Sequence, residues 1–280
     1  MTTDKSLTPF LKWAGGKRQL LHQIKERMPK SYNNYYEPFV GGGAVLFELQ
    51  PKCAVINDIN EALINTYRVI ASTPDLFIEA INELDITLFQ TDDAYYEIRN
   101  RYNYKLEKFE YDIELAAMFV FLNKHCFNGL YRVSKQGKFN VPYNKSKNAS
   151  INKDHIIMVS RFLQNVTMLS GDFEYACANA SEGDFVFFDS PYIPLTNSTF
   201  TTYTKEDFDN ANHIRLANLY NQLSEKGCYC MLTNHNTDYV HALYHNKKYT
   251  IDVLDVKRMI NSDSTNRVGE EVIIYNYQLK

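Results

Sequence analysis

The chain has 280 residues, 45% of them apolar, and a formal net charge of −3, which describes a folded, soluble protein of one large domain or two modest ones. No apolar stretch approaches the ~20 residues needed to cross a bilayer, and the start, Met1-Thr2-Thr3-Asp4-Lys5-Ser6, lacks the apolar core of a signal peptide. Five cysteines, an odd number without paired metal spacing, point to reduced thiols in a cytosolic compartment and to no metal site.

The first block of the chain reads as α/β. Tyr35-Tyr36-Glu37-Pro38-Phe39-Val40 leads into Gly41-Gly42-Gly43 and then a helical pattern over Ala44–Leu49. A second strand, Ala54-Val55-Ile56-Asn57, ends at Asp58 and is followed by a helix over residues 61–70. Strand, glycine turn, helix, strand, acid is the logic of nucleotide-type cofactor binding: glycines let the backbone approach a ligand, and an acid at the next strand end can accept both ribose hydroxyls. Gly-Gly-Gly lacks the G-x-G-x-x-G spacing, so a dinucleotide is not favoured.

Residues 76–164 read as an inserted, mostly helical domain with a loop-rich tip. A net charge of −3 argues against a nucleic-acid partner, yet its distribution reverses that. Residues 115–153 hold no Asp or Glu, while Lys124, Arg132, Lys135, Lys138, Lys145, Lys147 and Lys153 accumulate there. Phe127, Tyr131, Phe139 and Tyr143 alternate with these cations, and Asn123, Asn128 and Asn140 add amides. That composition suits a surface for phosphates and bases.

The later block begins with Val166-Thr167-Met168-Leu169, a strand ending near Gly171-Asp172-Phe173. The apolar run Phe185-Val186-Phe187-Phe188 stops at Asp189-Ser190-Pro191-Tyr192. Alone, Asp-Ser-Pro is turn chemistry; at the carboxyl end of a buried strand it sits where open α/β sheets bind ligands. A helix over residues 207–225, a strand over 228–232 with Cys228 and Cys230 on one face, and two closing strands over 250–256 and 271–277 forming an edge hairpin complete the expectation. Internal repeats and low-complexity tracts are absent.

Four segments in this order resemble the Dam-type adenine DNA methyltransferases, the α-group with a D12-type domain. They are Phe10-Leu11-Lys12-Trp13-Ala14-Gly15-Gly16-Lys17, then Glu37-Pro38-Phe39-Val40-Gly41-Gly42-Gly43, then Phe127-Asn128-Gly129-Leu130-Tyr131-Arg132 with Phe139-Asn140-Val141-Pro142-Tyr143, and finally Asp189-Ser190-Pro191-Tyr192. The resemblance implies a Rossmann-like S-adenosylmethionine-dependent methyltransferase fold over residues 1–75 and 165–280, interrupted by a target-recognition domain over 76–164. It implies S-adenosylmethionine as methyl donor and adenine in duplex DNA as acceptor. Trp13, Ala14, Gly15, Lys17, Phe39, Gly41, Asp58, Asp172, Phe173 and Asp189 would then line the cofactor site. Asp189, with the main-chain carbonyl of Ser190, would accept the adenine amine hydrogens, Pro191 would shape the turn and Tyr192 would stack on the flipped base. Phe127 would wedge into the gap and Asn128 contact the disrupted pair, while Leu130, Arg132 and Pro142 read bases, Arg132 by its planar fork on guanine. Lys12, Lys138, Asn140 and Lys145 complete the implied DNA contacts; a domain-core role is the alternative for Phe127 and Leu130.

Two departures stand out. Ser190 replaces the Pro usual in the family, which frees a φ angle while keeping the carbonyl. Asn144-Lys145-Ser146-Lys147 replaces the continuation common in GATC-specific members, so GATC is the first expectation, with CATG or another short palindrome open. The family setting also implies a cognate restriction endonuclease, a bacterial cytosolic location and a monomeric or weakly dimeric state. The competing readings are a protein or small-molecule N-methyltransferase, which the acid-free basic insertion disfavours, and a DNA-binding pseudo-enzyme, for which Ser190 is the only support.

Overall fold

The computed structural model describes residues 7–13, 15, 17–91, 93–194, 208–257 and 268–279. Its strands are β1 (Tyr35–Glu37), β2 (Ala54–Asp58), β3 (Val166–Ser170), β4 (Phe185–Phe188), β5 (Tyr229–His235), β6 (Thr250–Lys257) and β7 (Val268–Tyr275). They form one seven-stranded sheet in the order β3-β2-β1-β4-β5-β7-β6. The first five in that order are parallel, and β7 runs antiparallel to both β5 and β6. This is the mixed α/β sheet of the S-adenosylmethionine-dependent methyltransferase fold.

The continuous apolar run of β4 follows from its place between β1 and β5, because a central parallel strand is covered on both faces. Strand order reverses direction between β1 and β4, so the crevice at a topological switch point opens beyond their carboxyl ends. The Gly41-Gly42-Gly43 turn follows β1 and Asp189 follows β4, which brings two sequence-distant motifs to that one crevice. The two closing strands do pair antiparallel, but β7 lies inside the sheet and only β6 is at the edge. β5 also runs three residues beyond Leu232, taking in Thr233-Asn234-His235. Polar residues extend this strand because each finds a partner across the sheet or in the loop after β4.

The helices are α1 (Leu21–Glu26), α2 (Ala44–Leu49), α3 (Glu61–Ser72), α4 (Pro74–Gln90), α5 (Asp93–Lys108), α6 (Ile113–His125), α7 (Lys153–Leu163), α8 (Phe173–Ala176), α9 (Asn210–Glu225) and α10 (Asp238–Leu243). Side-chain caps start many of them: Asn60, Asp112, Asn152, Asp172 and Asp209 each accept a backbone N–H of the first turn. α6 is apolar on all sides over residues 115–122 because α3, α4 and α5 surround it. One apolar cluster joins the sheet residues Tyr35, Ile56 and Phe185 to Phe77, Tyr95, Tyr102 and Phe119 of the helical segment. The segment is therefore packed into the same core as the sheet that bears Asp189.

Residues 126–143 form an irregular hairpin that starts with a 3-10 turn over Phe127–Gly129, with isolated antiparallel bridges Cys126 to Tyr143 and Val133 to Phe139 and a turn closed between Ser134 and Lys138. Tyr131, Val133, Phe139 and Val141 are buried, whereas Arg132, Asn140 and Pro142 are exposed on the alternate face. No described helix is long and apolar enough to cross a membrane.

Candidate active site

Asp189 leaves β4 into the crevice with its side chain 22% exposed. Its Oδ1 lies 2.7 Å from Lys17 Nζ and accepts a 3.1 Å hydrogen bond from Thr233 Oγ1. The register explains the second contact: Phe188 pairs with Leu232, so the next residues on each strand are neighbours. The Lys17 ammonium also sits 4.4 Å from the centroid of the Tyr192 ring. Burial opposes its charge, but the Asp189 carboxylate and Tyr192 hold its pKa above the ordinary lysine value. Burial likewise pushes Asp189 above the ordinary 3.8, with Lys17 and Thr233 pulling it back. The pocket thus holds a nitrogen donor against a carboxylate and over an aromatic face.

The rest of the loop is fixed from β5 and β7. Asn234 Oδ1 accepts the Ile193 N–H at 3.0 Å, and His235 Nδ1 donates to the Ile193 carbonyl at 2.8 Å. The His235 ring meets Tyr192 edge-on at 4.8 Å, and the Tyr192 hydroxyl donates to Glu271 Oε2 at 2.7 Å. Burial raises the Tyr192 pKa, which keeps it a phenol able to donate. The sequence reading missed Thr233, Asn234, His235 and Glu271. The signal was present for three of them: polar residues directly after an apolar run mark the carboxyl end of a strand neighbouring β4. Ser190 is 2% exposed and its hydroxyl has no hydrogen-bond partner among the described residues. This desolvated, unpaired group is a cost the family's proline does not carry.

The second half of the crevice is built around Trp13. Its indole stacks on Tyr131 at 5.6 Å and 17° and rests against the glycine turn, where a Cβ on Gly41 would come within 2.7 Å of Nε1. Gly41 has φ +48, and its N–H donates to Asp58 Oδ2 at 3.0 Å. Asp58 Oδ1 accepts the Asn60 N–H at 2.9 Å. Burial raises the Asp58 pKa against these backbone donors. Gly15 is exposed, and its carbonyl accepts from Lys17 Nζ at 3.3 Å; Ala14 lies outside the described residues.

Phe39 and Phe173 pack at 5.3 Å with Phe208 beside them. Asp172 caps α8 and binds Arg215 Nη2 through both oxygens, at 2.9 and 3.0 Å, while the guanidinium covers the Phe173 ring at 4.9 Å. The Asp172 carboxylate is therefore committed to Arg215, and Phe39 with Phe173 forms the aromatic wall.

The basic hairpin is tied to this centre. Asn123 accepts the Lys12 N–H at 2.9 Å and donates to the carbonyls of Lys12 and Gly129, at 2.8 and 3.1 Å. One buried amide thereby clamps the segment before Trp13 to the base of the hairpin, beside Phe127. Phe127 is 56% exposed, which removes the core alternative for it; Leu130 is half-buried against the core. Asn128 is exposed with φ 56. Arg132 Nε donates to Asn140 Oδ1 across the hairpin at 2.9 Å. Lys12, Pro142 and Lys145 are exposed, and Lys138 pairs with Glu107 at 3.3 Å.

A family model for D12 class N6 adenine-specific DNA methyltransferases matches residues 13–260. The Type II methyltransferase M.MjaIII of Methanocaldococcus jannaschii is 42% identical, covering 96% of this chain and 99% of its own. The Type II methyltransferase M1.LlaDCHI of Lactococcus lactis subsp. cremoris is 41% identical over 97% and 96% of the two chains. The DNA adenine methylase of Escherichia coli is 30% identical over 95% and 94%. Similarity of this extent runs through the crevice and the basic hairpin alike, and the chain belongs to the family of D12 class N6 adenine-specific DNA methyltransferases.

Proposed function

We propose that the chain methylates N6 of an adenine extruded from duplex DNA, within a short palindrome of which GATC is the first candidate. The observation that carries the reading is the Lys17 ammonium, bonded to Asp189 and lying over Tyr192. Those are the contacts that an exocyclic amine and its ring would make. Asp189 accepts one amine hydrogen and the Ser190 carbonyl the other, and both bonds strengthen as positive charge develops on nitrogen. Tyr192, held by Glu271 and His235, stacks on the base and offsets part of the few kcal/mol that flipping costs. Base entry requires Lys17 to leave the Tyr192 face, and Gly15, whose carbonyl already accepts from Nζ, provides a second acceptor.

S-Adenosylmethionine fits the residues beside this pocket. The absence of a side chain on Gly41 lets the Trp13 indole lie against the turn as one wall, Asp58 offers carboxylate oxygens for a ribose diol, and Phe39 with Phe173 offers aromatic surface for a purine. When bound, the donor supplies a methyl group on a sulfonium, so the residues here need only hold and orient the amine. Gly41→Ala forces a left-handed φ at a cost of ~1–2 kcal/mol and drives a methyl into an indole already backed by Tyr131. Its expected result is a lowered unfolding midpoint and at least ~10-fold weaker S-adenosylmethionine binding by calorimetry, ~1.4 kcal/mol. Unchanged binding would separate Gly41 from the donor site.

Residues 76–164 carry target recognition in this reading, through Phe127, Asn128, Leu130, Arg132 and Pro142 on bases and Lys138, Asn140 and Lys145 as further DNA contacts, with Lys12 reaching the DNA from beside the Trp13 segment. We further infer a cognate restriction endonuclease with the same site, supported by relatives named Type II methyltransferases, together with a bacterial cytosolic location and a monomeric or weakly dimeric state. Sequencing of DNA methylated by this protein, with modification detection, is expected to place N6-methyladenine in one short palindrome. Label transferred to protein, or DNA binding without transfer, would overturn the reading.

A further inference from the structure

Both described donors to Asp189 converge on one of its two oxygens. Lys17 Nζ and Thr233 Oγ1 meet Oδ1 at 2.7 and 3.1 Å, and no hydrogen bond from another described residue reaches Oδ2. Thr233 is fully buried in β5, between β4 and β7, so its hydroxyl is held where the register places it. Lys17 is a different kind of partner. It stands on the Tyr192 face that the base must occupy, and its ammonium has a second acceptor in Gly15. When the base displaces it, Thr233 is the one described donor on Oδ1 that stays in place.

We propose that Thr233 is a positioning residue for methyl transfer, whose hydroxyl holds Oδ1 of Asp189 and thereby presents Oδ2 to the adenine amine. The proposal rests on Asp189 being the amine acceptor. A carboxylate can rotate about χ2 with little penalty, and without a fixed donor on one oxygen neither oxygen is aimed at the substrate. A reactive arrangement needs the amine held in line with the methyl group, and small errors of placement are costly. The same hydroxyl stabilises the ionised carboxylate, alongside Lys17, against burial. The groups facing Asp189 are Lys17 before α1, Tyr35 and Glu37 on β1, Tyr192 in its own loop, Thr233 on β5 and Glu271 on β7. Glu37 accepts from the Tyr35 hydroxyl at 2.9 Å, and burial raises its pKa well above the ordinary carboxylate value.

Thr233→Val keeps the volume and removes the donor; Thr233→Ser keeps the donor. With saturating DNA and S-adenosylmethionine, the single-turnover rate of the full chain is expected to fall about 10-fold or more for Val and to stay within about 3-fold for Ser, as for a hydrogen bond to a charged group. DNA affinity is expected to be unchanged in both. The acid limb of the rate against pH is expected to move to higher pH for Val, because the ionised carboxylate has lost a donor, and to stay in place for Ser. A purely packing role leaves the acid limb where it is. Asp189→Ala, run alongside, separates the two claims. If it is inactive while Thr233→Val is as fast as the parent with an unmoved acid limb, Thr233 has no positioning role. If Asp189→Ala remains active, the acceptor assignment itself fails.

Discussion

Asp189→Asn is expected to slow single-turnover methyl transfer by about 10²–10³-fold, the usual cost of deleting one transition-state electrostatic contact, while duplex DNA still binds. The size follows from the contacts already present on Oδ1. An asparagine keeps its carbonyl oxygen toward the two donors, Lys17 and Thr233, which turns its NH2 group toward the adenine amine. Two donors then face each other where the parent has a donor and an acceptor. The charge that develops on the nitrogen also loses its carboxylate. On the proposed acceptor role the ionised form is the active one, and burial raises its pKa above the ordinary 3.8. The rate therefore falls as pH drops through that raised value, an acid limb that Asp189→Asn removes along with the activity. An asparagine variant as fast as the parent would sink the acceptor role.

How much of this centre was legible depends on how local the signal is. β4 and Asp189 were readable because a fully apolar run broken by Asp, Ser and Pro announces both a buried strand and its end. The glycine turn, α2 and Asp58 were readable for the same reason. The polar residues after the β5 apolar run left a trace of Thr233, but its contact with Asp189, like the role of Glu271, exists only once β5 lies beside β4 and β7 beside β5. Nothing in a single sequence places a late antiparallel strand between its two predecessors. The same holds for Trp13, whose partners Tyr131 and Gly41 come from the hairpin and the β1 turn. The hairpin itself left a readable trace, since Tyr131 and Val133 alternate with Leu130 and Arg132 as strand residues do. The segment is also loop-rich as its lysines and amides lead one to expect, held by the isolated bridges Cys126 to Tyr143 and Val133 to Phe139 with no regular strand among its described residues.

Arg132→Ala is expected to relax specificity more than it weakens binding. Arg132 and Asn140 stand opposite each other on the exposed face of the hairpin, and Asn140 Oδ1 takes the Nε hydrogen at 2.9 Å. That bond fixes the plane of the guanidinium and leaves its two terminal nitrogens for a base edge, the geometry that matches the two acceptors of guanine. Loss of such a contact costs ~1–3 kcal/mol of discrimination at one position, or about 5- to 150-fold. Lys138→Ala gives the opposite pattern. Loss of a phosphate contact weakens binding evenly across sequences and flattens the log–log salt slope by about one unit. Because Lys138 pairs with Glu107 at 3.3 Å, removing that glutamate is expected to tighten binding to every sequence alike. Asn140→Ala leaves the fork in place without its anchor, so its loss of discrimination is expected to fall between those of the parent and Arg132→Ala at the same position. Methylation rates on a set of duplexes, each with one altered base pair, read all four variants together. An Arg132→Ala protein that discriminates as the parent does at every position would show that the hairpin face does not read the site.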